Sequence, residues 1–269
     1  MFLLSSPKDS FSLSKYLKFY DIPINFPENL SILYDEDTEL EAFTLERSLI
    51  ALKGSLVKSI NIYEFSLLEN PYSINLKDVV IFVNDENKSR IILDNLWALE
   101  NQGYLITCNN KIKSKGQIKL ISFPSDELCD VNLSLSIVKK ISSLVNNQRS
   151  KDLIKELESI NNLDQWLISK IQEIDFNSEL FLSPIYYPSI TLMSKMLNRN
   201  VKRFYELPSS NSISFITTGA DALVIRKREF ELRSSGKNVK EVLLDIDPLL
   251  APIYLVLMTY LFKQLNGGL

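Results

Sequence analysis

The run Asn75–Asn87, NLKDVVIFVNDEN, has two readings, and the fold turns on which one holds. Asn75 can cap a short helix from Leu76 to Val83. Yet Val79–Val83 is an unbroken β-branched and aromatic run, which favours a strand by propensity. The segments on either side supply the context.

Downstream, Ile92, Leu96 and Leu99 recur at helical spacing, with Leu93 and Trp97 beside them, so a helix is expected over 87–102. Gly103 stands where a helix C-terminus calls for positive φ. YLITC is then a strand, NNKIKSKG a turn-rich segment and QIKLISF a second strand, the pattern of a hairpin. Upstream, Thr38-Glu39-Leu40-Glu41 fits a capping box. Leu45, Leu49, Leu52 and Leu56 continue it as an apolar helix face ending near Lys58. Before that, Ser12–Tyr20 is compatible with a short helix, and LSILYDED with a strand that ends in an acidic turn.

Taken together, LKDVVIFVNDENKSRIILDNLWALENQGYL and the hairpin after it resemble the winged helix-turn-helix superfamily. The resemblance covers about a third of the chain, residues 40–123. It implies an α+β, mostly helical protein with three parts: an N-terminal segment (1–37), a winged-helix domain (38–130) and a helical domain (131–269). It also implies double-stranded DNA as the partner. Arg90 would face a guanine edge and Asn87 an adenine edge, Lys88 would meet phosphate, and Ser89 completes the exposed turn. Lys111, Lys113 and Lys115 alternate along the wing and so share one face. From Asn87 to Lys119 six basic residues face two acidic ones, a local +4 within a chain of net charge −3. Asp85 and Glu86 oppose this reading, because they would repel phosphate. The function this implies is that of a DNA-binding transcriptional regulator or replication-type factor; the alternative is a non-catalytic scaffold that uses the winged helix for protein contacts within a multi-subunit complex.

The remainder reads as helical over 133–145, 151–160, 163–174, 189–207 and 220–233, with NSISFITTG as a candidate strand. Lys195, Arg199, Lys202 and Arg203 suggest a second helix-turn-helix-like unit, a layout faintly similar to tandem winged helices of plasmid replication initiators. VIRKREFELR mixes Arg226, Lys227, Arg228 and Arg233 with Glu229 and Glu231, the composition of a salt-bridged, solvated helix face. Pro248–Phe262 holds fifteen residues without a charge, too few to cross a bilayer, which takes about 20. It is expected to be a core helix, or else a surface for a homo-oligomer or protein partner.

Composition excludes several chemistries. The chain has 269 residues and no histidine, so there is no Ser-His-Asp triad, no Cys-His pair and no histidine zinc site. Seven glycines and no G-x-G-x-x-G or G-K-[ST] argue against a nucleotide-binding loop. Cys108 and Cys129, 21 residues apart, are read as two reduced thiols of a cytoplasmic protein. Asp245 and Asp247 are read as helix-start caps rather than cation ligands. No cofactor, metal, signal peptide or membrane contact is expected, and no enzymatic activity.

Overall fold

The computed structural model describes residues 16–27, 29–69 and 78–266. Val79–Val83 resolves as a strand with its end: β3 spans Asp78–Phe82. The physical reason is visible in its neighbours. Val79, Ile81 and Val83 point into one core, and Val80 and Phe82 into another. A strand buried on both faces needs no polar alternation, so it reads as a continuous apolar run. The winged helix is thereby excluded, because its first recognition element would have to be a helix here. The possible cap at Asn75 lies outside the described residues.

Five strands form the first sheet: β1 (Ser31–Tyr34), β2 (Lys58–Asn61), β3, β4 (Gln102–Thr107) and β5 (Gln117–Ser122). Their order is β2-β1-β3-β4-β5, and every pair is parallel. Between them run α1 (Glu39–Ser48), a single turn α2 (Ile62–Glu64) and α3 (Glu86–Ala98). The second sheet holds β6 (Glu179–Leu182), β7 (Lys202–Arg203), β8 (Ser212–Thr217) and β9 (Asn238–Leu243), ordered β7-β6-β8-β9 and again parallel throughout. The other helices are α4 (Cys129–Ser143), α5 (Gln148–Ser159), α6 (Asp164–Glu173), α7 (Ile190–Leu197), α8 (Ala222–Ser234) and α9 (Ala251–Leu265). The C-terminal half is therefore not purely helical, and residue 130, the expected start of change between domains, lies in the first turn of α4.

One core joins the two sheets. Val80, Phe82 and Ile106 of the first and Leu180, Leu182, Ile216 and Val242 of the second meet the same cluster of side chains from α1, α4 and α9. Ala251–Leu261 of α9 is buried on every side. That explains its lack of charge: a helix apolar all round sits inside a protein. It is accordingly not a free surface for a second copy or a partner. Among the described residues no helix is long and apolar enough to cross a membrane.

Several local expectations change. α1 has no side-chain cap from Thr38, whose hydroxyl instead donates to the Phe82 carbonyl at 2.7 Å. The capping box sits earlier, with Asp35 and Thr38 around the 3-10 turn Glu36–Thr38. α1 runs on through a π turn, Leu49–Lys53, and stops at Gly54, which leaves Leu56 exposed. Residues 17–27 have no helix, so the described part of the Ser12–Tyr20 helix is not formed. α7 stops at Asn198, which is left-handed, and a short strand follows. The salt-bridged reading of α8 holds: Arg228 pairs with Glu231 and Arg233 with Glu229, while Arg226 reaches Glu241.

The expected hairpin is not one. β4 and β5 are parallel, so Cys108–Gly116 is a crossover that returns the chain to the start of the next strand. Nine residues can reach roughly 30 Å, enough to retrace a six-residue strand of about 20 Å. Ile112 pins the crossover by inserting into the α3-side core. Gly103 is not a helix cap. It lies within β4 at φ +146, and a Cβ there would come 1.8 Å from the Val79 carbonyl oxygen.

The cysteines are also not free. Cys108, at the foot of the crossover, is disulfide-bonded to Cys129, at the start of α4. The bridge closes a loop of 21 residues. Replacing both cysteines by alanine is expected to lower unfolding free energy by about 3 kcal/mol in urea titration. Gly103→Ala is expected to cost roughly 3 kcal/mol or more in the same measurement, because the β3–β4 pair must separate to admit the methyl group.

A cationic pocket at the carboxyl edge of the first sheet

In open parallel sheets, ligands bind beyond the carboxyl ends of the strands, above all where the strand order reverses. In the first sheet the reversal lies between β1 and β3. The loops there carry Asp35, Glu36 and Asp37 after β1, and Asp85 and Glu86 after β3. In each loop the carboxylate turns back on the chain's own backbone. Asp35 accepts from the Asp37 amide at 2.9 Å, and Asp85 accepts from the Lys88 amide at 2.8 Å as the N-cap of α3. In the second sheet, Asp221 does the same between β6 and β8. It accepts from the Thr218 amide at 2.9 Å and its hydroxyl at 3.0 Å, and from the Ile185 amide at 3.4 Å. Both reversal points are filled by the chain's own carboxylates and repel anions.

A buried acidic pair lies beneath the first of them. Burial pushes the Glu41 carboxyl well above the usual range, and the adjacent Asp130 carboxyl pushes it further. Asp130 is raised as well, chiefly by burial. Both carboxyls are thus pushed toward their neutral forms, as happens when like charges lie close in a buried site. Asn84, just beyond β3, donates to Asp130 at 3.1 Å. Its side-chain oxygen accepts from the Cys108 amide at 2.8 Å and the Thr107 hydroxyl at 3.1 Å, and its carbonyl accepts from Asn109 at 2.9 Å. This residue fixes the root of the crossover.

One strand over, the charge changes sign. The first turns of α3 and the crossover face each other across a pocket of about 300 Å³. Asn87, Ser89 and Arg90 line it from the helix, and Lys111, Lys113 and Lys115 from the crossover. Glu86 and Asp94 are its two carboxylates. Six of the seven residues singled out in the sequence thus come together. Lys88 does not: it points to the other side of α3, where its ammonium lies 3.6 Å from Asp35. Ser89 is buried, and its hydroxyl donates to the Glu86 carbonyl at 2.8 Å, so it shapes the wall. Lys115 pairs with Asp94 at 2.6 Å, with both side chains substantially exposed. Such a pair is worth about 0–1 kcal/mol, so an incoming anion displaces it cheaply. Glu86 and Asp94 were read in the sequence only as negative charges opposing an anion, not as members of the site. The signal for Asp94 was its place four residues after Arg90 on the polar side of α3.

The pocket is concave and small, which suits a small molecule rather than a duplex that needs a helix protruding into its major groove. The basic residues assigned to a second DNA-binding unit are dispersed. Lys195 pairs with Asp37, Arg199 donates to the Ser178 carbonyl, Lys202 pairs with Glu179, and Arg203 donates to Tyr205. Among the described residues no group of three or more His, Cys, Asp or Glu side chains is placed to hold a metal ion.

Glu41→Gln tests the raised carboxyl. The folded-state pKa is raised above the unfolded value near 4.5, so wild type loses stability as pH rises from there toward the folded pKa. The glutamine variant is expected to be more stable than wild type at pH 8, by about 1 kcal/mol or more, with the gain vanishing below pH about 4. Urea titrations across pH measure this directly.

Neither a protein-family model nor a curated protein matches the sequence. Solved structures do match in fold. Glucosamine-6-phosphate deaminase from Thermotoga maritima superimposes with a TM-score of 0.69 at 11% identity, over 90% of this chain and 87% of that one. Tagatose-6-phosphate ketose/aldose isomerase from Escherichia coli gives 0.60 at 12% identity, over 90% and 84%. The C-terminal domain of glucosamine-fructose-6-phosphate aminotransferase from Francisella tularensis gives 0.57 at 13%, over 89% and 85%. These likenesses overturn the winged-helix resemblance and, with it, the DNA partner. They also remove the ground for expecting no enzyme, since this architecture houses enzymes that are named for sugar phosphates. The chain has the parallel two-sheet fold of the phosphosugar isomerases and deaminases.

Proposed function

We propose that the chain binds a phosphorylated sugar in the pocket between α3 and the Cys108–Gly116 crossover, and acts on it. One observation supports this above others: four cationic side chains converge on a pocket at the carboxyl edge of a parallel sheet. The fold is shared with proteins named for glucosamine 6-phosphate and tagatose 6-phosphate. A phosphate monoester carries about −1.5 to −2 charge at pH 7 and three strong acceptor oxygens. Arg90 offers it a planar two-pronged donor from one wall, and Lys111 and Lys113 offer point charges from the other. The volume lies at the small end of ligand sites, as a single hexose phosphate requires. Glu86 and Asp94 are the groups in the same lining able to take up and return a proton. Aldose–ketose isomerisation and loss of an amine both need such a group, and neither needs histidine.

Isothermal titration with glucosamine 6-phosphate and fructose 6-phosphate tests the reading. Binding is expected for both, with none for glucosamine itself. Lys111→Glu with Lys113→Glu should weaken it by at least about tenfold, the equivalent of ~1.4 kcal/mol. Affinity should fall as pH drops below about 6, where the phosphate gains its second proton. Absence of binding by either sugar phosphate up to about 10 mM at low salt would overturn the proposal. Where binding is seen, proton exchange at C1 and C2 in D₂O, followed by NMR, reports the chemistry, and Glu86→Gln and Asp94→Asn then identify the proton carrier.

A further inference from the structure

We propose that the Cys108–Cys129 disulfide is a site of thiol–disulfide exchange, and that its reduction by a dithiol slackens the cationic wall and weakens anion binding. The exchange stands on the two cysteines and their surroundings, and its effect on a ligand rests on the pocket proposed above. A surface depression of about 410 Å³ lies between the crossover and the start of α4. Both cysteines line it, with Asn84, Asn110, Lys111 and Asp126 among their neighbours. Lys111 lines this depression and the cationic pocket alike, so the disulfide and the anion site are three residues apart on one loop.

The two sulfurs are not equivalent. Cys108 keeps 7% of its surface exposed and Cys129 2%, so an incoming thiolate reaches Cys108 first. Cys129 is the better leaving group. It opens the fifteen-residue α4, whose N-cap Leu128 contributes no side-chain acceptor, and the positive end of a helix favours a thiolate. The nearby carboxyls are themselves met: Asp126 pairs with the Lys18 ammonium at 3.0 Å, and burial holds Asp130 toward its neutral form. A thiolate of the dithiol bonds to the Cys108 sulfur, the bond between the cysteines breaks, and its electron pair leaves on Cys129. The second thiolate of the dithiol then attacks its own sulfur in the mixed disulfide, releases Cys108 as a thiolate and departs as a cyclic disulfide. Two electrons enter the protein, and its two thiolates take up the two protons that the dithiol lost.

What the bond holds is the root of the wall. The ties that remain near Cys108 include hydrogen bonds to Asn84. The Asn84 side chain accepts from the Cys108 amide at 2.8 Å, and its carbonyl accepts from the Asn109 side chain at 2.9 Å. Hydrogen bonds at the surface exchange with water at small net cost, and a covalent bond does not. Once it is cut, Lys111 and Lys113 sample positions away from Arg90. Only the fraction facing it binds the anion, and the apparent affinity falls by that fraction.

Dithiothreitol is the probe, applied to the full chain without denaturant. Both thiols are expected to appear in a colorimetric thiol count. Trypsin reports the loop without any ligand: cleavage after Lys111, Lys113 and Lys115 should accelerate by about tenfold or more on reduction, while cleavage after Lys227 in α8 should not change. In calorimetry, glucosamine 6-phosphate should bind the reduced protein about threefold or more weakly, and reoxidation should restore it. Cys108→Ala with Cys129→Ala should behave as reduced wild type and ignore dithiothreitol. Thiols that appear only on unfolding, unchanged cleavage in the crossover, or equal acceleration at Lys227 would overturn the proposal. Faster crossover cleavage with unchanged affinity would overturn the link to the pocket. If glucosamine 6-phosphate binds neither form, the sugar-phosphate reading and the ligand effect fall together, and the thiol count and trypsin still decide the exchange.

Discussion

Every strand in both sheets is parallel, and that imposes the constraint from which the rest of the architecture follows. A parallel sheet is built from crossovers that cover its faces, so neither face is left to water. β3 meets this by splitting its side chains between two cores. The layer between the sheets must then be apolar toward both, and α1, α4 and α9 supply it, α9 with eleven consecutive buried residues. With both faces closed, the polar backbone of the sheets reaches solvent mainly at their strand ends. Function is therefore directed to the carboxyl edges, where loops differ while the scaffold stays the same.

Those edges have been divided by charge. At both reversal points a carboxylate of the chain satisfies the amides that an anion would otherwise take. Beneath the first sheet's acidic side lies the Glu41–Asp130 pair, both of whose carboxyls are raised by burial. One strand away, the crossover brings lysines opposite Arg90. Asn84 stands between the two regions, holding the root of the crossover with one end of its side chain and Asp130 with the other. The disulfide ties the same root to α4. The cationic wall is thus anchored by polar and covalent contacts at its base and by Ile112 midway, so its lysines are presented on a held loop.

The residues of the pocket were legible before the fold was. Asn87, Ser89 and Arg90 open an amphipathic helix, and Lys111, Lys113 and Lys115 follow the next strand. Any fold that places a helix start beside the loop after that strand brings them together, whether the following strand is parallel or antiparallel. Lys88 fell outside because one residue along a helix turns the side chain by about 100°, toward Asp35. Trp97 was taken for core because it adjoins Leu96. It belongs instead to the stripe of Arg90 and Asp94, which the apolar count around Ile92, Leu96 and Leu99 overlooked.

From the sequence alone come the positions of most helices, the strand tendency of Val79–Val83, the charge-free α9 and the absence of histidine chemistry, because each depends on local propensity, periodicity or composition. Strand direction, the pairing of Cys108 with Cys129, the strands β6 and β9 and the burial of Glu41 with Asp130 were decided only in the tertiary structure. Each of these is a relation between segments far apart in the chain, and local spacing carries no record of it. The crossover shows the difference most plainly. Cys108–Gly116 has the turn chemistry of a hairpin loop, yet Ile112 in the α3-side core, the Asn84 contacts and the disulfide carry the chain back along β4. The choice between a wing that grips DNA and a wall that closes a pocket was made by those long-range contacts.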